Sequence, residues 1–262
     1  KKYTRNSIKK LAFSLDSYIF YIVTFLAFLF AGVLKGATGA GVPIITIPVI
    51  SAFYDVRLAV VIMVIPNVLT NIRQLYIYRN SILPLNLTFL FAFGGGLGAF
   101  VGTIFLVNLS LDTLSVGVGC VVMIYIIFKL FVPSWHLVYQ NSKILFFPFG
   151  FLGGVLQGAS GISAPISITF LNSMKLTRET FISTISVFFM TMSFFQTPGL
   201  IYYKFLNYDI ILISLICTFV LLSSMPIGAR MAKSISVNAF DKIILILLAI
   251  ISCKIFVDIL LK

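Results

Sequence analysis

Apolar runs of near-membrane length recur along this chain, at residues 17–34, 56–69, 83–106, 114–132, 144–156, 180–195, 210–225 and 240–260. Many approach the roughly 20 residues that a bilayer-spanning helix needs. Transmembrane strands would show segments of about 10 residues with strict alternation, and no such alternation is present. Composition agrees: 60% of residues are hydrophobic and 10% are charged, where a soluble domain carries about 25% charged residues. The sequence therefore specifies an all-α polytopic membrane protein. Its first run follows Lys1, Lys2, Arg5, Lys9 and Lys10, as in a secretory leader. It is read instead as a first span, because it continues into a motif that is copied deep in the chain.

That motif is GVLKGATGAGVPI at residues 32–44, and it returns as GVLQGASGISAPI at 154–166. Eight of the thirteen positions are identical, and Thr38 answers Ser160 as one hydroxyl for another. The offset of 122 also superposes Gln74 on Gln196, while GAFVGT from Gly98 answers GARMAK from Gly228 with a small length difference. The chain thus divides into a basic N-terminus (1–16), a first transmembrane repeat (17–132), a connecting loop (133–143) and a second repeat (144–262). Internal duplication of this kind marks many transporter folds.

Each copy breaks an apolar run. The piece after the first break, 42–53, reaches about 18 Å as a helix, against a hydrocarbon core of about 30 Å. Its counterpart, 164–173, is shorter. Neither can cross alone, so each is re-entrant or part of a discontinuous helix. With re-entrant pieces the chain makes eight crossings, which places the basic N-terminus and the basic loops 73–80 and 129–143 in the cytoplasm. Residues 230–242 are basic yet fall outside in that scheme. The alternative has ten crossings in two inverted sets of five.

Freeing backbone N–H and C=O groups inside a bilayer costs several kcal/mol per group, so irregular backbone survives only where it lines a cavity or is buried in protein. Glycines at 36, 39 and 41 allow positive φ and close approach. Pro43 and Pro165 suit the first turn of a new helix, which needs no N–H donor. Such helix starts favour anions, and transporters aim them from both repeats at one midplane site. Gly94, Gly95, Gly96, Gly98 and Gly102 have the spacing of a small-residue packing face instead.

Few polar residues interrupt the runs. Asn67, Asn71 and Gln74 share one helix face, and Gln196 occupies the corresponding region of the second repeat. An amide stripe of this kind either joins helices or lines a pocket. Lys35, opposite Gln157 in the duplication, is either a site residue or a cation that snorkels to the interface. Arg57, Arg73, Arg178 and Arg230 lie at run ends, where orientation and lipid contact account for them. His136, beside Trp135, reads as interfacial.

The net charge of +12 does not indicate nucleic acid, because the bases lie at the N-terminus and in connections, where membrane orientation puts them. Cys120, Cys217 and Cys253 lie in apolar runs and read as packing residues. The acids Asp16, Asp55, Asp112, Glu179, Asp209, Asp241 and Asp258 fall in connections or near run ends. No mid-helix carboxylate is placed as a proton relay. No His–carboxylate pair, Cys–His pair or metal-ligand cluster points to an enzyme, and no cofactor is expected. GATGAG lacks the preceding strand that a dinucleotide loop requires.

The paired G-x-x-x-G-x-x-G-x-x-x-P pattern, at 32–43 and 154–165, resembles the sulfite exporter TauE/SafE family of membrane permeases. The resemblance covers the chain from about Ser17 onward. Family members show a richer glycine run before the proline than Ala40-Gly41-Val42 or Ile162-Ser163-Ala164. The resemblance implies a secondary permease of the bacterial inner membrane, moving a sulfur-containing or organic anion by alternating access. An anion channel, or a non-transport protein that binds lipid or a protein partner, are the alternatives. Expected substrate contacts are Gly36, Thr38, Gly39, Gly41, Gly158, Ser160, Gly161 and Ser163, with Asn67, Asn71, Gln74, Gln196 and Lys35 beside them. The partners implied are a small anion and membrane lipid, with a homodimer left open.

Overall fold

In the computed structural model, residues 15–131, 137, 139–231 and 237–260 are described, and among them lie ten α-helices and no strand. The first repeat contributes α1 (Leu15–Thr38), α2 (Val42–Phe53), α3 (Val56–Tyr78), α4 (Leu85–Asn108) and α5 (Leu111–Phe131). A 3-10 turn at Tyr139–Leu145 leads into the second repeat: α6 (Phe146–Ser160), α7 (Ser167–Ser173), α8 (Arg178–Tyr202), α9 (Tyr208–Met231) and α10 (Val237–Leu260). The N-terminal residues 1–14, with Trp135 and His136, lie outside the described residues.

Seven of these helices are long and apolar enough to cross a membrane, and α10 is of similar length. Phe25, Phe30, Phe89, Phe194 and Phe219 point outward, as lipid-facing side chains do. The fold is a polytopic helical membrane protein of about eight long spans with two short helices. Side-chain caps recur at the repeat offset: Asp55 accepts from the Arg57 amide at 2.7 Å, and Thr177 from the Thr180 amide at 3.3 Å. Such a cap satisfies one of the free donors of a helix start.

Helix directions follow from contacts at the two ends of the bundle. Phe20, near the start of α1, meets Tyr54, just before α3, with ring centroids 4.8 Å apart. At the other end of α1, the Arg178 guanidinium donates to the Gly36 and Ala37 carbonyls at 3.1 Å. Arg178 opens α8, whose first turns bond to the α3–α4 connection through Ser183 to Ser81 and Leu83 to Thr184. So α1 and α3 run the same way, and α2 returns the chain between them. In contrast, α3 and α8 are antiparallel: Gln74 lies beside Ser186, and Asn67 beside Ser193.

The two repeats are therefore inverted, which is the orientation of the ten-segment alternative. The start of α1 faces the opposite side from the basic connections, contrary to the expectation that both share one side. Arg79, Lys143, Lys175, Arg178 and Arg230 gather on the far side and are exposed there. Arg230, which opens the basic segment that is anomalous in the eight-crossing scheme, is one of them. The charge pattern misled because it treated α1 and α3 as running in opposite directions.

The repeats also exchange partners. A Cβ on Gly32 or Gly36 of α1 would meet Leu221 or Met225 backbone of α9 at 2.7 and 1.9 Å. In the inverted copy, a Cβ on Gly154 or Gly158 of α6 would meet Gly95 or Ala99 backbone of α4 at 2.1 and 2.3 Å. Each broken helix thus lies against the fourth helix of the other repeat. Gly228 faces Val33 as Gly102 faces Val155, so Gly102 is the counterpart of Gly228, one turn from the Gly98 pairing read from sequence. Gly94, Gly98 and Gly102 do form a packing face, set against Phe147, Phe151 and Val155.

Two buried apolar clusters result. One joins α1, α2, α3, α5, α9 and α10, with Leu106 of α4, Leu200 of α8 and Ile162 and Ala164 of the second break. The other joins α4, α6, α7 and α8 around stacked phenylalanines, with Phe91 and Phe188 4.2 Å apart and Phe149 and Phe170 4.6 Å apart. Of the cysteines, Cys217 is buried as a packing residue, whereas Cys120 and Cys253 face outward.

Candidate functional site: the paired helix breaks

Both breaks turn on a left-handed glycine at the repeat offset, Gly39 with φ 87° and Gly161 with φ 75°. An L side chain there clashes with its own backbone, which is why glycine holds both positions. Each break is also tied by its hydroxyl. Thr38 Oγ1 lies 2.9 Å from the Leu34 and Ala40 carbonyls and accepts from the Ala40 amide at 3.4 Å. Ser160 donates to the Leu156 carbonyl at 2.8 Å and accepts from the Ile162 amide, again at 3.4 Å.

Beyond this point the copies diverge. Gly41 takes a second positive φ of 95° and caps α2, which starts at Val42 with Pro43 and no acidic residue in its first turn. Ser163 stands where Gly41 would, and it does not adopt that conformation. Its carbonyl instead closes a turn through the Ile166 and Ser167 amides, so α7 begins only at Ser167 rather than at the expected 164. Pro165 therefore lies in that turn and not in a helical first turn.

The breaks face one another across a narrow shared gap. Gly41, Pro43 and Ile44 form one wall, and Ile162, Ser163 and Ala164 form the other. Gln157, Ile168 and Phe189 complete the lining. In this conformation the gap is too narrow to admit a water molecule.

A polar chain runs beside the gap through the plane where the repeats meet. Lys35, 2% exposed, donates to Asn71 Oδ1 at 2.8 Å and lies 5.9 Å from the centre of the Phe189 ring. Those are its partners among the described residues. Asn71 Nδ2 donates to Asn67 Oδ1 at 3.0 Å, and Asn67 Nδ2 donates to Ser193 Oγ at 2.9 Å and to the Phe189 carbonyl at 3.3 Å. Asn67 and Phe189 are themselves separated by the repeat offset, so they mark the local two-fold axis. Gln196 donates to the Gly158 carbonyl at 3.4 Å, meeting a backbone acceptor of the broken α6.

The sulfite exporter TauE/SafE profile matches residues 24–255, nearly the whole chain. The chain belongs to the sulfite exporter TauE/SafE family. Neither a curated protein nor a solved structure matches it.

Within this TauE/SafE chain the expected site residues separate by position. Gly41 and Ser163 line the gap, and Gly39 and Gly161 shape the turns beside it. Gly36 and Gly158 do not face the gap, because their α-carbons abut α9 and α4. The Thr38 and Ser160 hydroxyls are already engaged with backbone carbonyls. Asn67, Asn71 and Gln196 bridge helices, and Gln74 lies 3.5 Å from Ser186 Oγ. Arg57 and Arg178, read from sequence as lipid or orientation residues, hold helix ends. Arg57 Nε donates to the Leu106 carbonyl at 2.8 Å, and Arg178 closes the last turn of α1. Cations in the last turn complement the negative end of a helix.

Among the gap residues of this TauE/SafE protein that sequence reasoning passed over are Gln157 and Phe189. Both were within reach, since Gln157 is the repeat counterpart of Lys35 and Phe189 that of Asn67.

Proposed function

We propose that the protein is a secondary permease of the bacterial inner membrane for a small anion of the sulfite and organosulfonate class. The observation that carries the reading is the shared gap: both glycine breaks open onto it, and the buried Lys35 ammonium, with one hydrogen-bond acceptor, lies 5.9 Å from the ring centre of Phe189, a residue of the lining. A cation buried without a carboxylate is costly unless another charge completes it, and an anion in the gap would do so. The first turn of α2, free of acidic side chains, adds the positive end of a helix dipole.

Alternating access fits a gap that is closed in this conformation better than an open channel does. The moving bodies would not be the two sequence repeats, because α1 is locked backbone to backbone on α9, and α6 on α4. A motion that carries α1 together with α9, and α6 together with α4, keeps those contacts intact. The exposed basic side, with Arg79, Lys143, Lys175, Arg178 and Arg230, would face the cytoplasm. That orientation directs the start of α1 toward the periplasm. No described carboxylate lines the gap, so transport would run as exchange or facilitated diffusion, or carry its proton on the substrate.

Proteoliposomes loaded with unlabelled taurine or sulfite test the reading. Accelerated, saturable entry of the labelled anion is expected. Linear, non-saturating flux without counterflow would indicate a channel, and no flux of any small anion would overturn the permease.

A further inference from the structure

At two places in the fold a helix stops and an arginine from another helix takes up the carbonyls left over, which have no intrahelical donor. In α1 the final backbone bond runs from the Gly39 amide to the Lys35 carbonyl at 2.7 Å. The Ala40 amide turns to Thr38 Oγ1 instead of continuing the ladder. The Gly36 and Ala37 carbonyls that the break frees accept from Arg178 of α8, each at 3.1 Å. In α4 the final bond runs from the Leu109 amide to the Phe105 carbonyl at 2.9 Å. The next two carbonyls, Leu106 and Val107, accept from Arg57 of α3 at 2.8 and 3.3 Å, and the Leu109 carbonyl accepts as well. One guanidinium reaches several carbonyls because its donors form a rigid planar fork.

The two arginines lie at opposite ends of the bundle, and each crosses between groups of helices. Arg57 stands on α3, which shares the first apolar cluster with α1, α2 and α9, and it holds α4. Arg178 stands on α8, which shares the second cluster with α4 and α6, and it holds α1. The seam between α3 and α8 is polar at its centre, where Asn67 meets Ser193 and Gln74 lies beside Ser186. Apolar contacts close the same two ends. Leu106 and Leu200 pack into the first cluster at the Arg57 end, and Ala40 packs into the second at the Arg178 end.

Resting on the alternating-access reading above, we propose that Arg57 and Arg178 are opposed latches, one on each face of the membrane, both closed in this conformation. Opening toward one face breaks the latch on that face and leaves the other made. The latch bonds exist only in the closed state and are exchanged for water in the open one, so each arginine sets how often its own face opens. Arg178 acts on the first glycine break directly, because the carbonyls it holds are those of the last turn before Gly39.

The test times the reaction of Ser163→Cys, in the gap wall, with a membrane-impermeant methanethiosulfonate. The chain is otherwise cysteine-free, and the reagent is applied outside right-side-out and inside-out membrane vesicles. Asn80→Cys marks the Arg178 face and Asp112→Cys the Arg57 face. Arg178→Gln should raise the rate about tenfold or more from the Arg178 face, with the rate from the other face unchanged or lower. Arg57→Gln should do the reverse. A merely structural role would raise both rates together. If a glutamine variant fails to fold, the lysine variant keeps the charge but satisfies fewer carbonyls, and it should raise the same rate by a smaller factor.

Equal gains from both faces, a gain from the wrong face, or no change in either rate would overturn the latches. Anion flux in the wild-type vesicles is scored separately. Its absence would overturn the permease, while the sidedness of labelling still decides the latches.

Discussion

Lys35 and Gly36 are neighbours in sequence and do opposite things. Lys35 places a charge in a buried position with one hydrogen-bond acceptor, and Gly36 removes a side chain so that α9 can approach. Replacing Asn71 by leucine strands the ammonium and should cost about 1–3 kcal/mol of stability, measured by thermal unfolding in detergent. Lys35→Met should change the unfolding midpoint little, because avoiding the desolvation of a charge offsets the loss of the donor to Asn71 Oδ1. It should abolish stabilisation by methanesulfonate. Gly36→Val drives a side chain into the Met225 carbonyl and should cost about 1–3 kcal/mol or more. The control is Gly117→Ala, whose added Cβ meets nothing within 4 Å; that change should stay within about 0.5 kcal/mol. Sequence alone located both residues but assigned Gly36 to the substrate. Small residues at four-residue spacing serve close helix crossings and cavity linings equally well, and only the partner helix distinguishes the two.

At the scale of elements, the breaks are built from backbone conformation and a hydroxyl tie. Thr38→Ala and Ser160→Ala should each lower stability by about 1 kcal/mol, as loss of a capping hydroxyl does, while leaving the affinity for methanesulfonate unchanged. A tenfold loss of affinity in either variant would return those hydroxyls to the substrate. The first short helix was legible to the residue, since 42–53 is what the structure contains. The second was read three residues too long at its start. The reason is Ser163, which does not take the positive φ that lets Gly41 cap α2 at once, so the chain needs a turn before helix can resume. The equivalence of α4 and α9 was off by one turn, because glycines recur along α4 at four-residue spacing and sequence offers several registers.

For the whole molecule, the apolar runs sufficed for the fold class, but the inversion of the repeats was out of their reach. It depends on whether a helix of 12 residues returns the chain, and that shows only in contacts such as Phe20 with Tyr54. Sidedness is open to direct measurement. In a cysteine-free background, Asn80→Cys and Lys143→Cys should label from the cytoplasm, and Asp112→Cys and Asn207→Cys from the periplasm. Labelling of Asn80→Cys and Asp112→Cys from one side would contradict the α4 span between them. The central claim is that two inverted breaks, each braced by the other repeat, meet at one anion site. The most direct measurement is an experimental structure of the protein with selenite, using the anomalous signal of selenium. The account predicts a selenium peak between residues 41–44 and 162–164. A gap filled by a lipid chain, or selenium found only on the exposed basic side with the gap closed, would contradict it.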